Sequence, residues 1–75
     1  MLRTTTGAIR ALHAQGYLCL SRHPAAGDTW TVAEDPSDPG APGAQQVAEY
    51  VVFELIDRGM VEPGGPTWYR LITRH

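Results

Sequence analysis

Apolar and polar residues alternate along this chain with two different periods, and the changes of period mark out its elements. In residues 5–15, Ile9 and Leu12 lie three apart among Ala8, Ala11 and Ala14, which predicts a helix of about three turns. One of Thr4, Thr5 or Thr6 can cap its start, and Gly16 stands where a left-handed residue would end it. The period then drops to two. Tyr17-Leu18-Cys19-Leu20-Ser21-Arg22 sets Leu18 and Leu20 against Tyr17, Cys19 and Ser21, and Thr29-Trp30-Thr31-Val32-Ala33 sets Trp30 and Val32 against two threonines. Two strands with one buried face are expected, joined by a loop at 23–28 that holds a proline, a glycine and an aspartate. Leu18, Leu20, Trp30 and Val32 then share the inner face.

Residues 35–44 break both periods. Three prolines and two glycines exclude helix interior and central strand, so the segment reads as an exposed connector, extended and mobile. A helical period returns at 45–58, where Ala48, Val51, Val52, Leu55 and Ile56 form the inward stripe, Arg58 suits the C-terminal end and Gly59 stops the helix. Met60-Val61-Glu62, the turn Pro63-Gly64-Gly65-Pro66 and the run from Thr67 to Thr73 read as a second hairpin. The expected fold is α+β: one domain over 1–75, two helices and two antiparallel hairpins, in the order αββαββ. A faint internal echo runs at an offset of 43, pairing Ile9, Leu12, Gly16 and Leu18 with Val52, Leu55, Gly59 and Val61. Each half would then be a helix, a glycine stop and a hairpin.

The run Val52, Leu55, Ile56, Arg58-Gly59-Met60-Val61 and then Tyr69-Arg70-Leu71 resembles the second half of a winged-helix domain. In that family a recognition helix ends at a glycine and passes into a β-hairpin wing whose last strand carries a Tyr-x-Leu pattern. The likeness covers residues 45–73 only. It implies a dimeric transcription regulator that binds DNA through the helix at 45–58 and the wing near Pro63 to Pro66. Such a regulator would use arginines rather than the acidic helix, with Arg3, Arg10, Arg22, Arg70 and Arg74 as the candidate nucleic-acid contacts, converging on one edge if the termini lie together.

Charge changes the picture. A net charge of −2 argues against a generic polyanion binder, and its distribution argues more sharply. Residues 34–62 hold seven acids against Arg58, whereas the segments on either side are net basic. With its aliphatic stripe turned inward, the helix at 45–58 presents Gln46, Glu49, Tyr50, Phe53, Glu54 and Asp57, whose carboxylates have the wrong sign for a phosphate backbone. Tyr50 and Phe53 ringed by Glu49, Glu54 and Asp57 have instead the anatomy of a protein-binding patch. The competing expectation is that Phe53 folds under the connector or the first hairpin, because a chain of 75 residues buries only about 60% of its unfolded surface and needs its aromatics.

The expected function is therefore a non-catalytic module that binds another protein, one with a basic and partly apolar surface. The binding residues would be Glu49, Tyr50, Phe53, Glu54 and Asp57. By analogy of size and charge, one such class is the inhibitor that occludes a nucleic-acid-binding surface, as phage-encoded anti-CRISPR proteins do. A winged-helix DNA-binding regulator and a self-associating piece of a larger assembly, a homodimer included, are the alternatives.

No constellation for catalysis stands out. The single cysteine, Cys19, excludes an internal disulfide and a cysteine-rich zinc site, which points to a reducing, cytoplasmic compartment. His13 and His23 are near it in sequence, yet no motif activates the thiol, so it is expected to be inert. Cys19 with His13, His23 and His75 lacks a metal spacing, and Gly64-Gly65 lacks the lysine and helix of a phosphate loop. The longest runs of larger apolar residues are four long, at Tyr17–Leu20 and Tyr50–Phe53, too short for a membrane span or a signal peptide. No enzyme activity, cofactor, metal or membrane partner is expected. Trp30 and Trp68 are expected to pack in the core or on the hairpins.

Overall fold

The computed structural model describes residues 1–23, 25 and 27–72, with His23 described by its backbone alone. Pro24 and Ala26 of the hairpin loop, and Thr73, Arg74 and His75, lie outside the described residues. The elements are α1 (Thr5–Gln15), β1 (Tyr17–His23), β2 (Gly27–Ala33), β3 (Gln45–Val47), α2 (Glu49–Asp57), β4 (Val61–Pro63) and β5 (Trp68–Leu71). The five strands form one antiparallel sheet in the order β3-β2-β1-β5-β4. The α+β class is as expected, and the element order gains one strand.

That strand is a correction to the helix expected over 45–58. Gln45 and Gln46 lie in β3, with Gln46 opposite Thr31 and Val47 opposite Trp30. Leu2 fills the other side of β3 as a parallel bridge: its N–H donates to the Gln46 carbonyl at 2.7 Å, and its carbonyl accepts from the Ala48 N–H at 2.9 Å. Paired on both sides, these residues satisfy their backbone groups without a helix, and tertiary pairing overrides helical propensity. Helix α2 consequently starts late, behind Ala48, which offers no side-chain cap. Helix α1 has one, the Thr4 hydroxyl accepting from the Gly7 N–H at 3.1 Å.

Both helices cover the same face of the sheet. Leu12 of α1 and Val51, Val52 and Leu55 of α2 are almost fully buried against Leu18, Val32 and Val47, with Trp30 and Tyr69 ring to ring at 5.8 Å. The stripe thus behaves as expected at Ala48, Val51, Val52 and Leu55. Ile56 departs from it and remains 40% exposed. Each four-residue step advances about 40° around a helix, so Ile56 lies about 80° round from Ala48, on the rim of the stripe.

The opposite face of the sheet is built from the alternate residues. Trp68 lies on the far side from Tyr69, with its indole over Gly64 and Gly65, where any side chain would collide with the ring. Tyr17 meets it edge-on at 5.1 Å. Cys19 is buried on this face, and burial, followed by the nearby Asp35 charge, pushes its thiol pKa up, which suits an inert thiol.

The connector is folded rather than extended. Three successive hydrogen bonds, Asp38 N–H to Asp35, Ala41 N–H to Asp38 and Ala44 N–H to Ala41, close one turn after another. Pro36, Pro39 and Pro42 each occupy the second position of a turn, where a fixed φ near −65° is what the turn needs. The Asp35 carboxylate accepts from the Ser37 hydroxyl at 2.7 Å and N–H at 2.9 Å, and these bonds hold its pKa below the usual value. The Gln15 side-chain amide ties the far end to the body by donating to the Gly43 carbonyl.

The echo at an offset of 43 falls on equivalent elements. Leu12 and Leu55 are both buried, Leu18 and Val61 are both buried in the strands that follow, and Gly16 and Gly59 both take positive φ, 113° and 68°. At Gly59 the N–H groups of Gly59 and Met60 return to the Ile56 and Leu55 carbonyls, the paired bonds of a glycine-terminated helix. In the sheet the halves repeat side by side, since β2-β1 and β5-β4 each run second strand then first.

Candidate functional site

Helix α2 buries only Val51, Val52 and Leu55 of its nine residues, and the surface made by the others is the candidate site. Tyr50, Phe53 and Ile56 recur every third residue and are 61%, 56% and 40% exposed. With Met1 they are the only large hydrophobic residues among the described ones that are exposed to this degree. The expectation that Phe53 completes the core therefore fails, because Val51, Val52 and Leu55 already fill the space between α2 and the sheet. Tyr50 is exposed but not loose: its hydroxyl donates to the Arg3 carbonyl at 2.7 Å, pinning the N-terminal residues beside the helix.

The five residues expected to form the site are not equivalent. Glu54 is already occupied. One of its carboxylate oxygens accepts from the Thr5 hydroxyl at 2.7 Å, joining the two helices, and the other pairs with Arg58 at 2.6 Å. Glu49 and Asp57 form no ion pair among the described residues, so they are the carboxylates left to rim the apolar face. Ile56 belongs to the site although the stripe placed it in the core. Its signal was present in the internal echo, where the α1 positions matching Tyr50, Phe53 and Ile56 are Gly7, Arg10 and His13.

A second feature is a cleft of about 810 Å³ between the C-terminal ends of the helices. Its apolar walls are Ile9 and Leu12 of α1, Tyr17 at the start of β1, Met60 after α2, and Leu71 and Ile72 at the end of β5. His13 and Arg70 are its ionisable residues besides Tyr17, and no carboxylate residue lines it.

The described arginines do not converge on one edge. Arg22 faces Asp28 near the free end of the first hairpin at 4.0 Å, whereas Arg70 sits opposite Tyr17 at the other end of β1 and donates to Glu62 at 3.1 Å. Five residues of strand, about 17 Å, separate the two positions. Arg10 is exposed on α1, Arg3 is exposed beside Tyr50, and Arg74 lies outside the described residues. Between α1 and α2 the described residues form strands and turns, so no second helix leads into α2 as a helix-turn-helix requires. Among the described residues no group of three or more His, Cys, Asp or Glu side chains is placed to hold a metal ion, and no helix is long and apolar enough to cross a membrane. Comparison with protein-family models, with curated proteins and with solved structures finds no match to this chain.

Proposed function

We propose that this chain is a non-catalytic protein-binding module whose docking surface is the outer side of α2. The observation that carries the reading is the concentration of exposed apolar area on one nine-residue helix: Tyr50, Phe53 and Ile56. Large rings within a polar rim supply affinity through burial, and the rim charges set orientation and choice of partner. Glu49 and Asp57, with no internal ion pair among the described residues, select a partner surface that is basic around an apolar centre. Occluding such a surface, including one that otherwise holds nucleic acid, is one way a module of this kind acts.

A nucleic-acid reading draws less support. The outer face of α2 is acidic, and two of the five candidate arginines are paired at opposite ends of one strand. Gel-shift titration at low salt tests it directly, since phosphate contacts give an affinity that falls steeply as salt rises.

For the protein-binding reading, the test is Phe53→Asp. Affinity capture with the wild-type chain identifies a partner, and calorimetric titration of the purified pair follows. The variant is expected to lose that binding while its thermal melt stays close to wild type. Unchanged affinity in the variant refutes the site.

A further inference from the structure

We infer that the surface docked by α2 is the cleft of a second copy of this chain. The inference rests on the α2 face being a docking surface, and it names the partner. The two surfaces are complementary in kind. One is convex and apolar, with Tyr50, Phe53 and Ile56 at helical spacing and carboxylates at Glu49 and Asp57. The other is concave and apolar, with His13 and Arg70 as its ionisable groups beside Tyr17; the one carboxylate at its edge is that of Glu62, paired with Arg70.

An amphipathic helix in an apolar groove is a recurrent recognition mode, read by anchors at i, i+3 or i+4, and i+7. Tyr50 and Phe53 fit the first two positions, and the acid Asp57 falls at i+7, where it would face His13 or share Arg70 with Glu62. The cleft volume of about 810 Å³ lies within the range of sites that enclose bulky ligands, about 300–1,000 Å³.

Charge decides against the simpler pairing of α2 with α2. Antiparallel helices would set Glu49 against Asp57 of the other copy, and parallel ones would set each acid against itself. Like charges face to face are strongly unfavourable at an interface. A helix placed in the cleft, whose one neighbouring carboxylate, Glu62, is already paired with Arg70, avoids both arrangements. Because the donating and accepting surfaces differ, the contact is heterologous, and each copy retains one unused surface of each kind until a ring closes.

Sedimentation velocity on the full chain tests this. The wild type is expected to rise above the 8.2 kDa monomer as its concentration approaches about 1 mM, the range of a weak specific contact. Phe53→Asp removes the inserting face and Met60→Glu puts a charge in the cleft, so each variant alone should remain monomeric. Mixed in equal amounts they should associate again, as pairs, because each retains the surface that the other has lost. His13→Glu changes an exposed residue at the cleft and should weaken self-association at least about tenfold through like-charge contact. It replaces Met60→Glu in the mixing experiment if that variant fails to melt cooperatively. A wild type that stays monomeric throughout, a cleft variant that self-associates like wild type, or a mixture that does not associate overturns the inference. A monomeric wild type that still binds a different protein through Phe53 overturns the self-pairing and leaves the α2 surface standing.

Discussion

The two helix–glycine–hairpin halves are the same device used for different ends. Leu12 and Leu55, Gly16 and Gly59, Leu18 and Val61 do matching work: two buried helix residues, two positive-φ stops, two buried strand residues. What differs is what each helix shows to water. At the positions where α1 carries Gly7, Arg10 and His13, α2 carries Tyr50, Phe53 and Ile56. Folding demands the shared residues. It does not demand the large apolar ones on α2, because α1 occupies the equivalent situation without them. This is the strongest ground for the proposal that Phe53 and Ile56 serve binding rather than architecture, whereas Tyr50 also anchors Arg3.

The comparison can be broken at its base by Leu12→Ala and Leu55→Ala. Each should destabilise the chain by about 2–5 kcal/mol, as truncation of a fully buried leucine does. Urea titration followed by circular dichroism checks this, and a large inequality between them would show that the halves do not share the core equally. Next come the stops. Nothing lies within 4 Å of a Cβ built on Gly16 or Gly59, so the effect of Gly→Ala there is backbone strain alone. Left-handed backbone costs a residue with a side chain roughly 1–2 kcal/mol; Gly59, at φ 68°, should show that loss, and Gly16, at φ 113° and ψ −33°, a larger one in the same titration. The helix starts sharpen the contrast. Thr4→Ala should cost about 1 kcal/mol by removing the cap of α1, whereas Ala48→Ser should stabilise α2 modestly by supplying one.

The smallest stability effect is the most telling. Phe53→Arg, which gives α2 the residue that α1 has at the matching position, should shift stability by no more than about 0.5 kcal/mol, as exposed substitutions do. Its melting curve should overlay the wild type. A loss of several kcal/mol would mean that Phe53 is structural after all.

Much of this was legible in the sequence, and the failures have specific causes. Period two found β1, β2 and the inner face shared by Leu18, Leu20, Trp30 and Val32, because one buried face forces strict alternation. Period 3.6 found the core of α2 but ran four residues too far toward the N-terminus, through Gln45 to Val47 and the N-cap Ala48. Gln45 to Val47 are held in a strand by β2 and Leu2, partners too remote in the chain for any local pattern to reveal. The connector was misread for a different reason. Its prolines at 36, 39 and 42 repeat every third residue, the spacing of linked turns, but composition alone suggested an extended coil. In the candidate site, Tyr50 and Phe53 were readable as outward residues. Ile56 was not readable from the stripe, since a residue on its rim can fall to either side; only the echo, which matches it to His13, set it outward. Nor was Glu54, whose bond to Thr5 spans from one helix to the other.

The place of β5, between β1 and β4, has a kinetic consequence. Leu18 is paired with Tyr69 and Tyr17 with Arg70, so the middle of the sheet cannot close until nearly the whole chain is available. Contacts this distant in sequence slow folding, typically to milliseconds or longer for sheet-rich domains. During synthesis the first hairpin and α1 would emerge without the strand that completes their sheet, and the aromatic helix would follow before its own hairpin exists. For a chain whose second helix exposes Tyr50, Phe53 and Ile56, the interval before β5 arrives is when association with the wrong surface is hardest to avoid.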